Sequence, residues 1–441
     1  MSGWNRWWVQ VALRCVGAFL LLNILLIYVP TSLTWLAGAV LLAGACLLVD
    51  PGKILPMTIS LLLATAVLEV VVRSATVPAL VPYYRPHEML ALETNYKAQQ
   101  RVEMTVKSGD LLTIDTTLPA TLAQPRQEVF ITDSHGYRND DDYKGEKLVV
   151  IGDSFLVGTE TTLASVIEKE HHVPAYNVAF SGMGPLIYTE KVQWARKQMG
   201  GDCCLVLFYF EGNDFQHVDA REAGVRESVP RGLQNFVKGY VKTLRSHSEW
   251  SKSFSGMTAR AIEASRAKWG GPAEGSAPAA PKDPEEKSFV RNVGGKPMVF
   301  LRGYAEVTRR KVFDDHSFVR NQLAMAKPDM VVFIPDKYRV YAPLLDEKPE
   351  ADLPTAQWTY LSAAATELGV PAIDLTPHMI ARSREMLAQG GVTFWRDDTH
   401  WNRNGEKVAA DVVLAALHAS SDARCVAAVK SQTEKPQAEK P

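Results

Sequence analysis

The stretch KLVVIGDSFLVG, residues 147–158, decides the fold of this 441-residue chain. Leu148 to Ile151 are four consecutive apolar residues, which is typical of a short, fully buried strand in a parallel sheet. Gly152 permits a tight turn after this strand, and a helix is expected to begin near Ser154. Because open α/β sheets bind ligands at the carboxyl ends of their strands, this serine is a candidate for chemistry. Taken alone, the pattern equally fits an ordinary strand-to-helix turn with a serine cap.

Strands and helices alternate along the chain from this point. Further buried strands are predicted at residues 175–180, 204–210, 330–334 and 372–375, and helices at residues 186–198, 356–368 and 406–417. This alternation predicts an α/β domain with a parallel sheet and helices on both faces, of the flavodoxin-like kind. Upstream of it, residues 102–106 and 111–114 alternate in polarity like two short strands.

The composition gives no indication of a nucleic-acid partner or a metal site, and it leaves one possible disulfide undecided. The chain has 48 Lys and Arg residues against 49 Asp and Glu residues, so its net charge gives no indication of a nucleic-acid partner. The five cysteines do not form a metal-binding pattern. We expect no metal and no cofactor. In an oxidising compartment Cys425 could pair with Cys203 or Cys204, and the sequence does not choose between them.

The N-terminal part predicts a membrane anchor of three transmembrane helices. Three apolar segments, residues 8–28, 32–49 and 54–72, are each long enough to be candidate spans. Arg6 precedes the first span and Lys53 lies in the second loop, whereas the first loop carries no Lys or Arg. The positive-inside rule therefore places the N-terminus in the cytoplasm and the chain after residue 73 outside the cell membrane.

Polar residues and glycines follow the predicted strands in a fixed order. Ser154 follows the first strand, Gly182 the second and Asn213 the third, and the run Asp-Asp-Thr-His at residues 397–400 comes late in the chain. This order resembles the SGNH (GDSL-type) hydrolases, a family named for its Ser, Gly, Asn and His. The resemblance extends over residues 147–417, with an interruption.

The residue types match the chemistry that this resemblance implies. Acyl transfer needs a nucleophile, a base that takes its proton, and donors for the oxyanion. Ser154 fits the nucleophile and His400 the base. The resemblance implies three oxyanion donors, namely the backbone N–H groups of Ser154 and Gly182 and the side-chain amide of Asn213.

The acid that orients His400 has two candidates. Asp397 has the DxxH spacing of the SGNH hydrolases, and Asp398 has the DxH spacing of the periplasmic alginate O-acetylation proteins. We prefer Asp397 and keep Asp398 as the alternative. The third motif also departs from the family, since Glu211 stands where the SGNH hydrolases have glycine, which puts the local turn in doubt.

Two further stretches resemble membrane-anchored SGNH proteins of bacterial envelopes. These are SHGYRN at residues 134–139 and IPDKYRVY at residues 334–341. Lys337 could contact a sugar or a carboxylate, but we expect it to be a surface lysine at a strand end. Such proteins add or remove acyl groups, usually acetyl, on exported polysaccharides. The resemblance implies a serine-dependent ester hydrolase or O-acetyltransferase in the bacterial inner membrane, with a periplasmic catalytic domain.

The same resemblance implies the partners and one alternative function. The partners are an acylated glycan or other acyl ester, the lipid bilayer, and membrane-bound acyl-transfer or polysaccharide export proteins. The alternative is a catalytically inactive SGNH-fold component that binds carbohydrate or serves as a scaffold in an export complex. We predict four regions: a membrane anchor at residues 1–74, a lead-in segment at 75–146, a catalytic domain at 147–420 with an insertion at 216–306, and a disordered tail at 421–441.

Overall fold

The computed structural model describes residues 85–92, 94–115, 117–215, 287–313 and 318–430. They belong to one of the two units of the chain, Tyr84–Val225 together with Ala279–Pro441. Among them, no helix has the length and apolar character needed to cross a bilayer. The three predicted spans and most of the predicted insertion lie outside the described residues.

The lead-in segment forms helices and a two-stranded ribbon. Its elements are α1 (Pro86–Leu90), β1 (Arg101–Val106), α2 (Asp110–Ile114) and β2 (Arg126–Ile131). β1 pairs with β2 in antiparallel fashion. The prediction that residues 111–114 form a strand is wrong, because these residues belong to α2. The N–H groups of Gly109 and Asp110, at the start of this helix, donate to buried carboxylates, which stabilises a helical turn there.

Strand β3 (Leu148–Ile151) opens the alternating part of the chain. It is followed by α3 (Ser154–Val157), α4 (Leu163–His171), β4 (Ala175–Asn177), α5 (Pro185–Met199) and β5 (Cys204–Phe210). Helix α3 is short because Gly158 has a φ of 69°, and a Cβ there would lie 1.8 Å from the Thr161 carbonyl oxygen. The chain therefore turns sharply after α3, and the helix expected to begin near Ser154 has only 4 residues.

The remaining elements begin with a hairpin, β6 (Ser288–Val293) and β7 (Lys296–Leu301). The chain continues through α6 (Arg302–Thr308), α7 (Phe318–Ala326), β8 (Met330–Ile334), α8 (Lys337–Tyr341), α9 (Ala356–Glu367) and β9 (Ala372–Asp374). It ends with α10 (Thr376–Ala388), α11 (Arg403–His418) and α12 (Ala423–Val429). The hairpin lies within the region that the sequence assigned to the insertion.

The parallel sheet has the strand order β4-β3-β5-β8-β9. Every residue of β3, β5 and β8 is buried, as required of strands covered on both faces. Helices α5, α7 and α9 pack on one another in sequence, and α4 packs on α11 and α11 on α12. The prediction of an α/β domain with a parallel sheet and helices is confirmed.

The last described helix is part of the fold and not of a tail. Helix α12 buries Cys425, Ala428 and Val429, and Cys425 forms a disulfide with Cys204 at the start of β5. This link spans 221 residues of sequence, and Cys203 is buried as a free thiol. The expected disordered tail therefore does not begin at residue 421, because a covalent bond and apolar burial hold residues 423–429 against the sheet.

The disulfide leads to a prediction about stability. Cys425→Ala should lower the free energy of unfolding by about 2–4 kcal/mol, because the unfolded chain regains the freedom that the cross-link removes. Urea unfolding measures the loss. Cys203→Ala is the matched control, since it removes a neighbouring buried sulfur without breaking the link. If dithiothreitol destabilises the Cys425→Ala variant as much as the wild type, the pairing is wrong.

Candidate active site

Ser154, Gly182 and Asn213 come together at one edge of the sheet. They follow β3, β4 and β5, which are neighbouring parallel strands, so the carboxyl ends of these strands share an edge. Ser154 is the first residue of α3, and the Asp153 side chain caps that helix by accepting from the Phe155 N–H at 3.0 Å. Ser154 therefore lies after the carboxyl end of β3, as predicted.

His400 connects this edge to the C-terminal part of the chain. Its Nε2 lies 2.7 Å from the Ser154 Oγ, and its Nδ1 lies 2.7 Å from the Asp398 Oδ1. The imidazole thus bridges a hydroxyl and a carboxylate, as in a Ser-His-Asp triad. The His400 side chain is only 11% exposed, so these hydrogen bonds are largely shielded from water.

The preference for Asp397 as the residue that orients His400 is corrected by the geometry. The Asp397 Oδ2 accepts from the N–H groups of Gly109 at 2.7 Å and Gln124 at 2.8 Å, and it is Asp398 that contacts the imidazole. The reason lies in the turn before His400, where the Asp398 Oδ1 also accepts from the His400 backbone N–H at 3.0 Å. Asp397 instead attaches this turn to the lead-in segment.

The second oxygen of Asp398 is held by cations that the sequence motifs did not indicate. The Arg126 Nη2 donates to the Asp398 Oδ2 at 2.5 Å, and Arg85 donates to the same oxygen. Both arginines are buried, and both come from the lead-in segment. Neither lies in a sequence motif, so only the tertiary structure reveals them. These contacts keep Asp398 ionised and fix its orientation.

A buried lysine also supports this turn. The Lys337 Nζ donates to the carbonyl oxygens of Val299 at 2.7 Å, Arg396 at 3.1 Å and Asp398 at 3.0 Å. Burial lowers the pKa of Lys337 to about 7. The expectation that Lys337 is a surface lysine is wrong, because this side chain satisfies three backbone carbonyls inside the fold.

An indole links the two halves of the site directly. The Trp401 Nε1 donates to the Phe155 carbonyl oxygen at 3.0 Å, so the residue after His400 is tied to the residue after Ser154. Asn402 then caps α11 by accepting from the Asn404 N–H at 2.9 Å. The Trp401–Phe155 hydrogen bond therefore holds the turn with His400 next to the helix with Ser154, and the Asn402 cap fixes the start of α11.

The imidazole is a weak base in this environment. Burial lowers the pKa of His400, and the guanidinium groups of Arg85 and Arg126 lower it further, whereas Asp110 and Asp153 oppose the shift. A lowered pKa means that His400 is neutral at pH 7, the state in which it can accept a proton from Ser154.

Asp153 and Asp214, the chain neighbours of Ser154 and Asn213, are buried polar residues. The Asp214 carboxylate accepts from the Tyr188 hydroxyl at 2.9 Å and from the Phe210 N–H at 2.7 Å. Burial raises the pKa of Asp153 to about 6 and that of Asp214 well above its usual value. These side chains fix the turns after β3 and β5.

The turn after β5 is stabilised by the residue that departs from the family motif. Glu211 pairs with Arg339, whose Nη2 lies 2.5 Å from the Glu211 Oε1, and Glu211 also accepts from the Asp336 N–H at 3.0 Å. A Cβ on Gly212 would lie 2.4 Å from the Phe210 ring, so glycine is required next to Glu211. The glutamate thus anchors the turn that carries Asn213.

The loop that carries Gly182 is open. Gly182 has a φ of 78°, and a Cβ built there would meet no atom within 4 Å. The Asn213 side-chain oxygen is buried without a hydrogen-bond partner among the described residues. The oxyanion roles of Ser154, Gly182 and Asn213 stay predictions, although the sheet brings their turns to one edge.

Arg138, from the SHGYRN stretch, fixes the far end of the serine helix. Its guanidinium donates to the carbonyl oxygens of Val157 and Gly158, each at 2.8 Å, and to that of Val129 at 2.8 Å. The bonds to Val157 and Gly158 satisfy carbonyls that the short helix α3 leaves without helical partners, and the bond to Val129 connects this helix end to β2. His135 of the same stretch is exposed and stacks edge-on against Trp194.

Two groups of side chains have donor atoms close enough to be considered as metal ligands. They are Asp110 with Asp398 and His400, and Asp329 with Cys204 and Cys425. In the first group two guanidinium groups already bind Asp398, and in the second the two sulfurs form a disulfide. In the part of the chain that the structure describes, neither donor set is therefore suited to a cation.

The parallel sheet and the hydrogen-bonded Ser154–His400–Asp398 arrangement are those of an SGNH-like α/β domain. Residues 319–441 match a family model described as the SGNH hydrolase-like domain of the acetyltransferase AlgX. The matched segment includes β8, β9 and the turn with Asp398 and His400, whereas Ser154 lies outside it. No curated protein matches the chain. The resemblance to the SGNH group is confirmed for these C-terminal residues.

The geometry predicts different effects at the two neighbouring aspartates. Asp398→Asn should slow covalent labelling of Ser154 by a serine-directed fluorophosphonate by about 100-fold or more, because the imidazole loses the group that orients and charge-stabilises it. Asp397→Asn should have a much smaller effect, since its side chain does not contact His400. Labelling rates from intact-protein mass spectrometry measure both. A larger loss in Asp397→Asn would restore the DxxH assignment.

Proposed function

We propose that the chain is a serine-dependent ester hydrolase or O-acetyltransferase that acts on an acyl ester through an acyl-Ser154 intermediate. The observation that carries the proposal is the hydrogen-bonded sequence Ser154–His400–Asp398, with both heavy-atom distances at 2.7 Å. Binding or scaffolding alone does not require a base aligned on a buried carboxylate and a serine hydroxyl. The catalytically inactive alternative therefore lacks a specific supporting observation.

In the first half of the reaction, His400 Nε2 takes the proton of the Ser154 hydroxyl as Oγ attacks the acyl carbonyl carbon. The resulting oxyanion is stabilised by the N–H groups of Ser154 and Gly182 and by the Asn213 amide. The carbon–oxygen bond to the leaving alcohol then breaks. The imidazolium returns its proton to that alcohol, and the acyl group remains on Ser154.

In the second half, an acceptor hydroxyl takes the acyl group. His400 removes the proton of the acceptor as the acceptor oxygen attacks the acyl-serine carbonyl, and it then returns that proton to the departing Ser154 Oγ. Water as acceptor makes the protein an esterase, and a sugar hydroxyl makes it an O-acetyltransferase. Asp398 stays ionised throughout and stabilises the imidazolium in both halves.

We propose an exported or cell-envelope polysaccharide as the substrate class and acetyl as the acyl group. The matched family is described as an acetyltransferase domain, which supports this choice. We further propose a periplasmic site for the catalytic domain, held at the bacterial inner membrane by the predicted spans of residues 1–74. The Cys204–Cys425 disulfide supports an oxidising compartment. Membrane-bound acyl-transfer or export proteins are the proposed partners.

The proposal is tested with the full-length chain and a chromogenic aryl acetate. We expect a burst of released phenol equal to the protein concentration and a mass increase of one acetyl group on the peptide that contains Ser154. Ser154→Ala should abolish both signals. Ser165→Ala, which changes a serine on α4 whose hydroxyl lies near Asp140, is the matched control and should retain them.

The acceptor dependence of turnover decides between the two activities. If oligosaccharides accelerate the slow phase after the burst, the protein is an acyltransferase. If turnover is fast and indifferent to oligosaccharides, it is an esterase. A folded protein that acquires no acetyl group on Ser154 would contradict the proposal for acetyl donors and favour the scaffold alternative.

The state of His400 sets the pH dependence of acylation. The reaction requires neutral imidazole, so the rate rises with pH as His400 loses its proton. Since burial and two guanidinium groups lower the pKa of this histidine, the half-maximal rate should fall below pH 6.5, the ordinary value for a histidine side chain. A pH profile of kcat/KM for the aryl acetate measures this midpoint. A midpoint above pH 7 would contradict the electrostatics described for the site.

A further inference from the structure

A second carboxylate faces the imidazole beside Asp398. The Asp110 Oδ2 lies 3.6 Å from the His400 Nδ1. Asp110 is the first residue of α2 and comes from the lead-in segment, outside the region in which the site motifs lie. His400 Nδ1 therefore has two carboxylates near it, one from its own turn and one from a distant part of the chain.

Thr399 connects Asp110 to the histidine. Its backbone N–H donates to the Asp110 Oδ1 at 2.8 Å, and its hydroxyl donates to the Asp110 Oδ2. The same hydroxyl oxygen lies 3.1 Å from the His400 Nδ1. Asp110 thus holds the residue between Asp398 and His400 by two hydrogen bonds while its own charge stays next to the ring.

The charges around Asp398 explain why a second carboxylate is useful. Arg85 and Arg126 both donate to the Asp398 Oδ2, so two positive charges share the carboxylate that should stabilise the imidazolium. If Asp398 were the only carboxylate next to the imidazole, these two positive charges would make His400 a poor proton acceptor. Although burial opposes it, the nearby His400 and Arg85 and the Thr399 hydrogen bonds lower the pKa of Asp110, which keeps this carboxylate charged at neutral pH.

We propose that Asp110 is a positioning residue for His400. Its ionised carboxylate holds Thr399 in place and puts a second negative charge next to Nδ1. This charge compensates for that of Asp398, which the two guanidinium groups largely neutralise. This inference rests on the proposed acyl transfer at Ser154 for its functional meaning. Among the described residues, the charged and titratable groups that face His400 from the surrounding elements are Arg85, His87, Asp110, Arg126, Asp153 and Asp398.

The test measures the pKa of His400 in two ways, by an NMR titration of its ring and by the pH dependence of kcat/KM. In the full-length chain labelled with ¹⁵N-histidine, the His400 signal is assigned by its absence in His400→Gln and followed against pH. Asp110→Asn should lower the pKa of His400 by about 1, because a neighbouring negative charge is lost. In the same variant the low-pH limb of kcat/KM should shift to lower pH by the same amount. The limiting rate should fall by about 10-fold, because a less basic imidazole accepts the proton less readily.

Three variants separate charge from structure. Asp110→Glu keeps the charge and should return the pKa of His400 towards that of the wild type. Asp141→Asn removes an exposed carboxylate, 71% accessible, and should leave the pKa of His400 unchanged. Thr399→Val removes the hydroxyl that holds Asp110 and should lower the pKa by less than Asp110→Asn. If Asp110→Asn does not fold, Thr399→Val decides the question by the same titration.

The outcomes distinguish this inference from the proposed function. A pKa of His400 that stays in place, or rises, in Asp110→Asn overturns the role of Asp110, even where activity falls. If the wild type never acylates Ser154 but the pKa still moves as stated, the acyl-transfer proposal fails and the electrostatic support of His400 by Asp110 stands.

Discussion

The carboxylate of Asp398 has two oxygens with opposite surroundings, and the site depends on both. One oxygen accepts from His400, and the other is bound by Arg85 and Arg126. A buried carboxylate without such cations would be driven towards its protonated form, and a protonated acid could not stabilise an imidazolium. The two arginines prevent this protonation, but they also lower the basicity of the histidine. The site therefore needs an ionised Asp398 and, at the same time, an imidazole that still accepts a proton.

The segments outside the parallel sheet hold this balance in place. The ribbon and helix of the lead-in segment supply Arg126 and the N–H of Gly109 to the turn before His400. From the other side, the β6–β7 hairpin supplies carbonyl oxygens to the Arg396 guanidinium, and the Val299 N–H donates to the Arg396 carbonyl. The sheet positions the serine, whereas these additions position the acid. The boundaries of the functional unit are therefore wider than those of the sheet.

The sequence predicted the sheet well because its strands are continuous apolar runs. Cys204–Phe210 and Met330–Ile334 begin and end at the predicted residues. Ser154 was predicted from the motif that follows such a strand, and His400 from the Asp-Asp-Thr-His run late in the chain. The choice between Asp397 and Asp398 failed because spacing along the chain does not say which way each side chain of a turn points. Arg85 and Lys337 were missed or misjudged because their partners are distant in sequence and nothing local marks a lysine as buried.

The Cys204–Cys425 link turns most of the domain into a covalent ring. The ring starts at the entrance of β5, includes the turn with His400, and closes in the last described helix. A single proteolytic cut anywhere between these two cysteines opens the ring but does not divide the molecule. The two fragments, of which the first carries Ser154 and the second carries Cys425, would remain joined until the disulfide is reduced. A chain cut once in this way would thus keep Ser154 and His400 in one molecule.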